Sequence, residues 1–167
     1  MKVQLLEPLI NDAHSEAPMH ALLGFSTPAP LRDIVLLVAR VGLGVVLLTH
    51  GLDKLESGFG PTADGFAAMG IPMPEVAAAY ALVAEIGGGA LLIAGLLTPL
   101  AGLLVVGQMA GAFWYAHRGT EVLSSAGGWE LVGVIGFLAL VLAGTGAGRI
   151  SLDRLIVGRT EPASITS

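Results

Sequence analysis

The stretch Ala39-Arg-Val-Gly-Leu-Gly-Val-Val-Leu-Leu-Thr-His-Gly-Leu-Asp-Lys-Leu55 sets an arginine, a histidine and a lysine within or at the end of a long apolar run. A charge at the centre of a bilayer-spanning helix is disfavoured by roughly 2.5–3.5 kcal/mol on insertion scales, so such residues are paired or functional. The surrounding composition puts this run in a bilayer. The chain has 167 residues, 54% hydrophobic and 13% charged, and its mean hydropathy of +0.79 lies outside the range of soluble domains. Twenty-four glycines against two Trp and two Tyr suit helices that approach closely through small residues.

Other classes are set aside by what the chain lacks. A net charge of −5 with no long basic run argues against nucleic acid as a partner. There is no cysteine, so disulfides, thiolate catalysis, iron–sulfur clusters and Cys-ligated zinc are excluded. A redox role would have to use a bound cofactor, a quinone or a partner.

Outward from the opening stretch, four apolar runs approach the roughly 20 residues that a 30 Å hydrocarbon core requires. They cover 31–52, 74–97, 99–117 and 129–145. The expected fold is all-α, an integral membrane four-helix bundle over 31–148. It is preceded by a tail over 1–30 and followed by a C-terminal segment over 149–167. The tail holds Lys2, Glu7, Asp12 and Glu16, and its Val3–Ile10 run could form a short helical turn. Lys2, Arg32, Arg149, Arg154 and Arg159 lie on the side of both termini, against Lys54 and Arg118 on the other, which predicts cytoplasmic N and C termini. The protein is thus expected in the cytoplasmic (inner) membrane as a multi-pass protein.

The connections carry their own signals. Thr98 and Pro99 read as a cap and a helix start between antiparallel neighbours. Within 56–73, Thr62–Met69 reads as a short helix capped by Thr62 and stopped by Gly70, and Phe59, Phe66, Met69 and Ile71 would lay it on the bundle as a lid. The second outer connection, 118–128, reads as polar and flexible. Ser151 can cap an amphipathic segment with Leu152, Leu155 and Ile156 beside Arg149, Arg154 and Arg159, an inner-leaflet anchor.

Placing polar residues by helical rise gives two layers. Arg40 and Glu85 fall near one depth with Gln108, a buried polar layer that reads first as an ion pair fixing register and second as a proton or solute site. His50, Lys54, His117 and Glu130 form a layer at the outer end. Two histidines there could hold a haem or a metal, but such residues more often cap helices, so no metal is assigned and haem is disfavoured. The remaining use is hydrogen bonding to a quinone carbonyl by a histidine, with Lys54 and Glu130 handling charge and protons. The glycines 87–89, and Gly107 with Gly111, read first as helix packing and second as room for a flat ligand.

Arg40, Gly44, His50-Gly51 and Lys54-Leu55, then Gly70-Ile-Pro72, Glu85 with Gly88-Gly89, Gly95-Leu-Leu-Thr98, His117, Gly127-Gly-Trp-Glu130 and Gly146-Ala-Gly-Arg-Ile-Ser-Leu-Asp153 together resemble the DoxX family of small four-helix membrane proteins. Two departures are Pro99, where a basic residue is expected, and an outer loop without the expected aromatic pair. The resemblance implies a cytoplasmic-membrane bundle attached to redox systems, the family's name coming from subunits of quinone-linked thiosulfate oxidation. The leading expectation is an accessory, non-catalytic subunit or anchor of a quinone-linked oxidoreductase complex, with other subunits or further copies of itself as partners. The alternatives are a scaffold without a site of its own and a small-solute or proton pathway through Arg40, Glu85 and Gln108.

Overall fold

A computed structural model describes residues 28–157 of the chain. The Val3–Ile10 run, nearly all of the tail assigned to 1–30, and Arg159 lie outside the described residues. The chain divides at Leu31 into two units, and apart from the opening residues of the first helix everything below belongs to the second.

Every regular element among the described residues is helical. Helix α1 covers Ala29–Ser57, about 43 Å at 1.5 Å per residue. It stops where Gly58 takes a φ of 96°. Helix α2, Phe59–Ala68, follows at once. It closes with a Schellman turn, in which Ile71 N donates to the Phe66 carbonyl at 3.1 Å and Gly70 takes a φ of 73°, a conformation open to glycine without penalty. Helix α3, Pro74–Ala94, and helix α4, Thr98–His117, are each long and apolar enough to cross a membrane. Helix α5, Glu130–Thr145, is apolar but shorter, and α6, Leu152–Val157, is a short terminal turn.

The core draws on four of these helices. Leu36, Leu43 and Leu47 come from α1, Leu92 from α3, Ala101, Val105 and Met109 from α4, and Ile135, Ala139 and Leu142 from α5. Small residues let the backbones meet. A Cβ on Gly44 would lie 2.6 Å from the Gly89 carbonyl oxygen, and one on Gly102 would lie 2.7 Å from that of Ala139. Gly88 and Gly89 therefore serve helix packing, the first of the two readings their spacing allows.

The same contacts give the antiparallel register of α1 on α3. Gly44 meets Gly89, Gly51 lies against Glu85 and Ile86, and Arg40 lies against Gly95, where a Cβ would overlap the guanidinium. This corrects the expected layer of Arg40 with Glu85. The two are offset by about ten residues, roughly 15 Å of helix. The register is set by the close approach of Gly44 to Gly89 and of Gly51 to Glu85 and Ile86, which depth along a single helix does not give.

Arg40 belongs to a different junction. It is 2% exposed, and its Nη1 donates to the Leu92 and Ile93 carbonyls at 3.2 Å each while Nη2 donates to the Ile150 carbonyl. Asp33, also buried, accepts from Arg149 N at 3.0 Å. Asp153 accepts from Leu97 N at 3.0 Å, and its own amide donates to the Gly95 carbonyl at 3.0 Å. The C-terminal segment is thereby tied across the end of α1 and the α3–α4 turn, with Ser151 Oγ accepting from Arg154 N at 3.3 Å as the cap of α6.

Two caps differ from expectation. Thr62 lies inside α2, and its hydroxyl donates to the Gly58 and Lys54 carbonyls at 2.9 and 3.3 Å instead of capping. Thr98 is the first residue of α4 and its buried hydroxyl makes no hydrogen bond. Leu97, in the left-handed region at φ 49°, is held by Asp153 instead. An aspartate reaching from a distant segment thus takes the place of a local threonine cap.

Candidate functional site

Glu85 sits inside a π-helical turn, Val83–Gly87, within α3. Such a turn inserts one extra residue into the helix, and it is over-represented at functional sites. The Glu85 side chain is 5% exposed and is met by Lys54 from α1, whose Nζ lies 2.7 and 2.8 Å from the two carboxylate oxygens. From α4, Gln108 Nε2 donates to Oε1 at 2.6 Å. Three helices thus converge on one carboxylate. The closeness of Gly51 to Glu85, with a prospective Cβ 3.0 Å from that of the glutamate, is what lets α1 bring Lys54 into reach one turn later.

The cluster forms the polar end of a cavity of about 440 Å³. Leu47, Met109 and Ile135 wall it from the core side, and Phe66, Met69 and Ile71 close over it from α2 and the turn after it. The connection between α1 and α3 therefore lies on the helices as a lid. Tyr80 also borders the cavity, its hydroxyl donating to the Leu104 carbonyl at 2.6 Å across α3 and α4. On α4, Gly107 and Gly111 open onto the cavity. A Cβ on Gly111 would meet nothing within 4 Å, and one on Gly107 would meet Tyr80 alone. Of the two readings for these glycines, Gly111 supplies room, and Gly107 lets the Tyr80 hydroxyl pack against α4 at a distance that a Cβ would close to 2.6 Å.

The four residues expected at the outer end separate into two pairs. His50 and Lys54 line the cavity. His117 and Glu130 fold the 118–128 connection. His117 Nδ1 lies 3.2 Å from the Gly127 carbonyl, and Glu130 accepts from Ser124 N at 2.9 Å. That connection, expected to be flexible, contains a 3₁₀ turn over Ser124–Ala126 and returns Glu130 N to the Val122 carbonyl at 2.9 Å. Of the expected buried layer, Glu85 and Gln108 are joined, and Arg40 is bound to the Leu92, Ile93 and Ile150 carbonyls instead.

Three contributors escape a reading of the linear sequence: the π turn, Tyr80 and the Lys54–Glu85 register. A tyrosine within an apolar span must find a partner for its hydroxyl, and that was the available signal for Tyr80. Among the described residues, no group of three or more His, Asp or Glu side chains is arranged to hold a metal ion.

Chemically, the site is a neutral ion pair at the end of an apolar chamber. Two of the three ammonium hydrogens of Lys54 go to Glu85, which leaves one for a ligand, and His50 adds a ring nitrogen. A ligand with a hydrogen-bond acceptor and no net charge matches this arrangement.

Comparison with known proteins finds a relative that is an inner membrane protein. The chain is 33% identical over 129 residues to the inner membrane protein YphA of Escherichia coli (strain K12), covering 74% of this chain and 91% of that protein. It is 34% identical over 126 residues to an uncharacterized protein of Haemophilus influenzae (strain Rd), covering 73% of this chain and 90% of that one. No solved structure matches it. The DoxX family profile matches residues 35–118, the segment that supplies Arg40, His50, Lys54, Glu85, Gln108 and His117, and the chain belongs to the DoxX family.

Proposed function

We propose that this chain is a four-helix, multi-pass protein of the cytoplasmic membrane with both termini inside, acting as an accessory subunit or anchor of a quinone-linked oxidoreductase complex. Its cavity takes the quinone ring. The observation that carries the reading is the 440 Å³ apolar chamber with the Lys54–Glu85–Gln108 cluster at one end. Its size lies in the range of small-molecule sites, which pair an apolar wall with few polar groups.

A neutral ring suits the site better than a charged solute, because the Lys54–Glu85 pair has no net charge left to offset one. Lys54 donates to one ring carbonyl and His50 stands near it. Reducing a quinone to a quinol takes two electrons and two protons, and Lys54, His50 and Glu85 are among the cavity-lining groups able to pass a proton. The electrons come from the partner subunit, since the cysteine-free chain provides no thiol couple. His117 and Glu130 are left out of this site by their bonds within the 118–128 connection. Four helices share the core, and the similarity to an inner membrane protein of Escherichia coli supports an inner-membrane location.

The reading is tested by one purification with two readouts. The tagged chain is taken from its native membrane in nanodiscs at natural expression level. Quinone per protein is measured by solvent extraction and mass spectrometry, and co-purifying proteins are identified. Near-stoichiometric quinone in the wild type, its loss in Gly111→Leu, and a co-purifying dehydrogenase or cytochrome are expected. Quinone no higher than in empty nanodiscs, or equal in wild type and variant, overturns the quinone site. Recovery of the chain with no redox enzyme overturns the subunit reading.

A further inference from the structure

A second cavity, about 370 Å³, lies on the outside of the α4–α5 pair and is walled entirely by apolar groups and glycine, among them Phe113, Trp129, Gly133 and Phe137. The Phe113 and Trp129 rings meet edge to face with centroids 6.0 Å apart and frame one end. Phe137 and Leu140, 65% and 52% exposed, open the other side to the surroundings of the bundle. Met109 and Val132 belong to the walls of both this groove and the chamber behind it. The partition between the two spaces is thus formed by these two side chains, each facing both. One of them is a methionine, an unbranched chain with three rotatable bonds that re-packs easily. Its opposite neighbour is Gly136, where a Cβ would stand 3.2 Å from that of Met109, so the side chain that α5 adds to the partition is Val132.

We infer that the ligand of the inner chamber is an amphiphile whose hydrocarbon tail passes Met109 and Val132 and lies in the α4–α5 groove, so that the protein favours lipid-soluble molecules with a head and a tail over the head alone. The inference rests on the proposal that the chamber takes a ligand, and it extends that ligand beyond its ring. The polar groups of the combined space are confined to the Lys54 end, and everything from Met109 outward is apolar. A tail leaving the chamber by this route stays in hydrocarbon throughout, where a route past Lys54 would take it toward the outer surface. The tail contributes affinity through close packing on Phe113, Trp129 and Phe137, since burial from lipid offers little hydrophobic gain.

The test measures Kd by calorimetry for the full chain in nanodiscs with two compound series. One carries a dimethoxy-methyl-benzoquinone head alone or with butyl, hexyl or decyl tails, and the other consists of 1-alkanols with the same tails. Ala110→Trp fills the groove from a residue that lines it and does not line the chamber. Val106→Phe does the same from a second position and covers the case in which the tryptophan variant misfolds. The ratio of variant to wild-type Kd at each tail length cancels partitioning into the bilayer. A ratio near 1 for the head alone, rising to about tenfold at decyl, is expected. A ratio that stays flat in both series, as it would if ordinary bilayer lipid occupied the groove, overturns the inference, and so does absence of binding in both. A rising ratio with alkanols but no binding of the quinone head keeps the tail path and rejects the quinone.

Discussion

Replacing Lys54 with methionine tests the central contact of the site. Glu85 is 3% exposed, and its partners are the Lys54 ammonium at 2.7 Å and the Gln108 amide at 2.6 Å. Without Lys54 the carboxylate keeps one neutral donor, and breaking a buried pair from one side is destabilising by about 3–5 kcal/mol. The reverse change, Glu85→Gln, is milder. The Lys54 side chain is 24% exposed and one turn from the end of α1, so its ammonium can turn outward to water while its stem stays packed. That variant loses about 1.5–3 kcal/mol, the worth of hydrogen bonds to a charged group. In the double variant no charge is stranded, and its loss stays near that of Glu85→Gln alone, giving a coupling of about 3–5 kcal/mol between the two sites, equal to the Lys54→Met loss. Reversible unfolding in sodium dodecyl sulfate, followed by helical circular dichroism, measures all four proteins. Losses that add within about 0.5 kcal/mol, or a Lys54→Met protein within about 1 kcal/mol of wild type, would refute the claim that these residues form one buried unit.

Three further outcomes follow from the geometry. Gly102→Leu should unfold at markedly lower detergent than wild type, by about 2 kcal/mol or more, because its Cβ meets the Ala139 carbonyl oxygen at 2.7 Å, whereas Gly111→Ala should lie within about 0.5 kcal/mol of wild type because its Cβ meets nothing. Asp153→Ala removes the side-chain acceptor of Leu97 N; limited trypsin digestion should then cut after Arg149 or Arg154 several-fold faster, and an unchanged rate would mean that the segment is held by Arg40 and Asp33 without it. Because the chain has no cysteine, single cysteines give a clean topology map: with both termini inside, Ser57→Cys and Ser125→Cys should react with a membrane-impermeant maleimide in intact cells while Ser167→Cys does not, and the reverse pattern would invert the orientation.

A residue-by-residue comparison shows where a linear reading of such a chain holds. Composition and the run lengths were enough for an all-α membrane protein, because bilayer solubility is a property of summed side-chain hydropathy and needs no knowledge of partners. Local punctuation was legible too. Gly70 ends α2, Pro74 opens α3 and Ser151 caps α6, since each acts on backbone within a few residues. The family motif pointed to Glu85, Lys54 and His50, but not to their arrangement.

Which charge meets which was decided by tertiary structure alone. Helical rise gives depth along one helix, yet the register between two helices depends on where each enters the pair, and an error of three turns changed the partner of Glu85 from Lys54 to Arg40. The packing of Gly44 on Gly89 and of Gly51 on Glu85 and Ile86 sets that register, through contacts of backbone with backbone that no single-helix pattern encodes. The fates of His117 and Glu130 were likewise set by the fold of the 118–128 connection, which uses both as hydrogen-bond partners for its own backbone. The chamber itself depends on an opening between helices that Gly111 faces and that the lid residues Phe66, Met69 and Ile71 line from another part of the chain. Sequence alone determined that this chain belongs in a bilayer as helices, because that follows from what each residue prefers; which residues face one another, and where space is left between them, follows from how the helices pack, and that was decided in three dimensions.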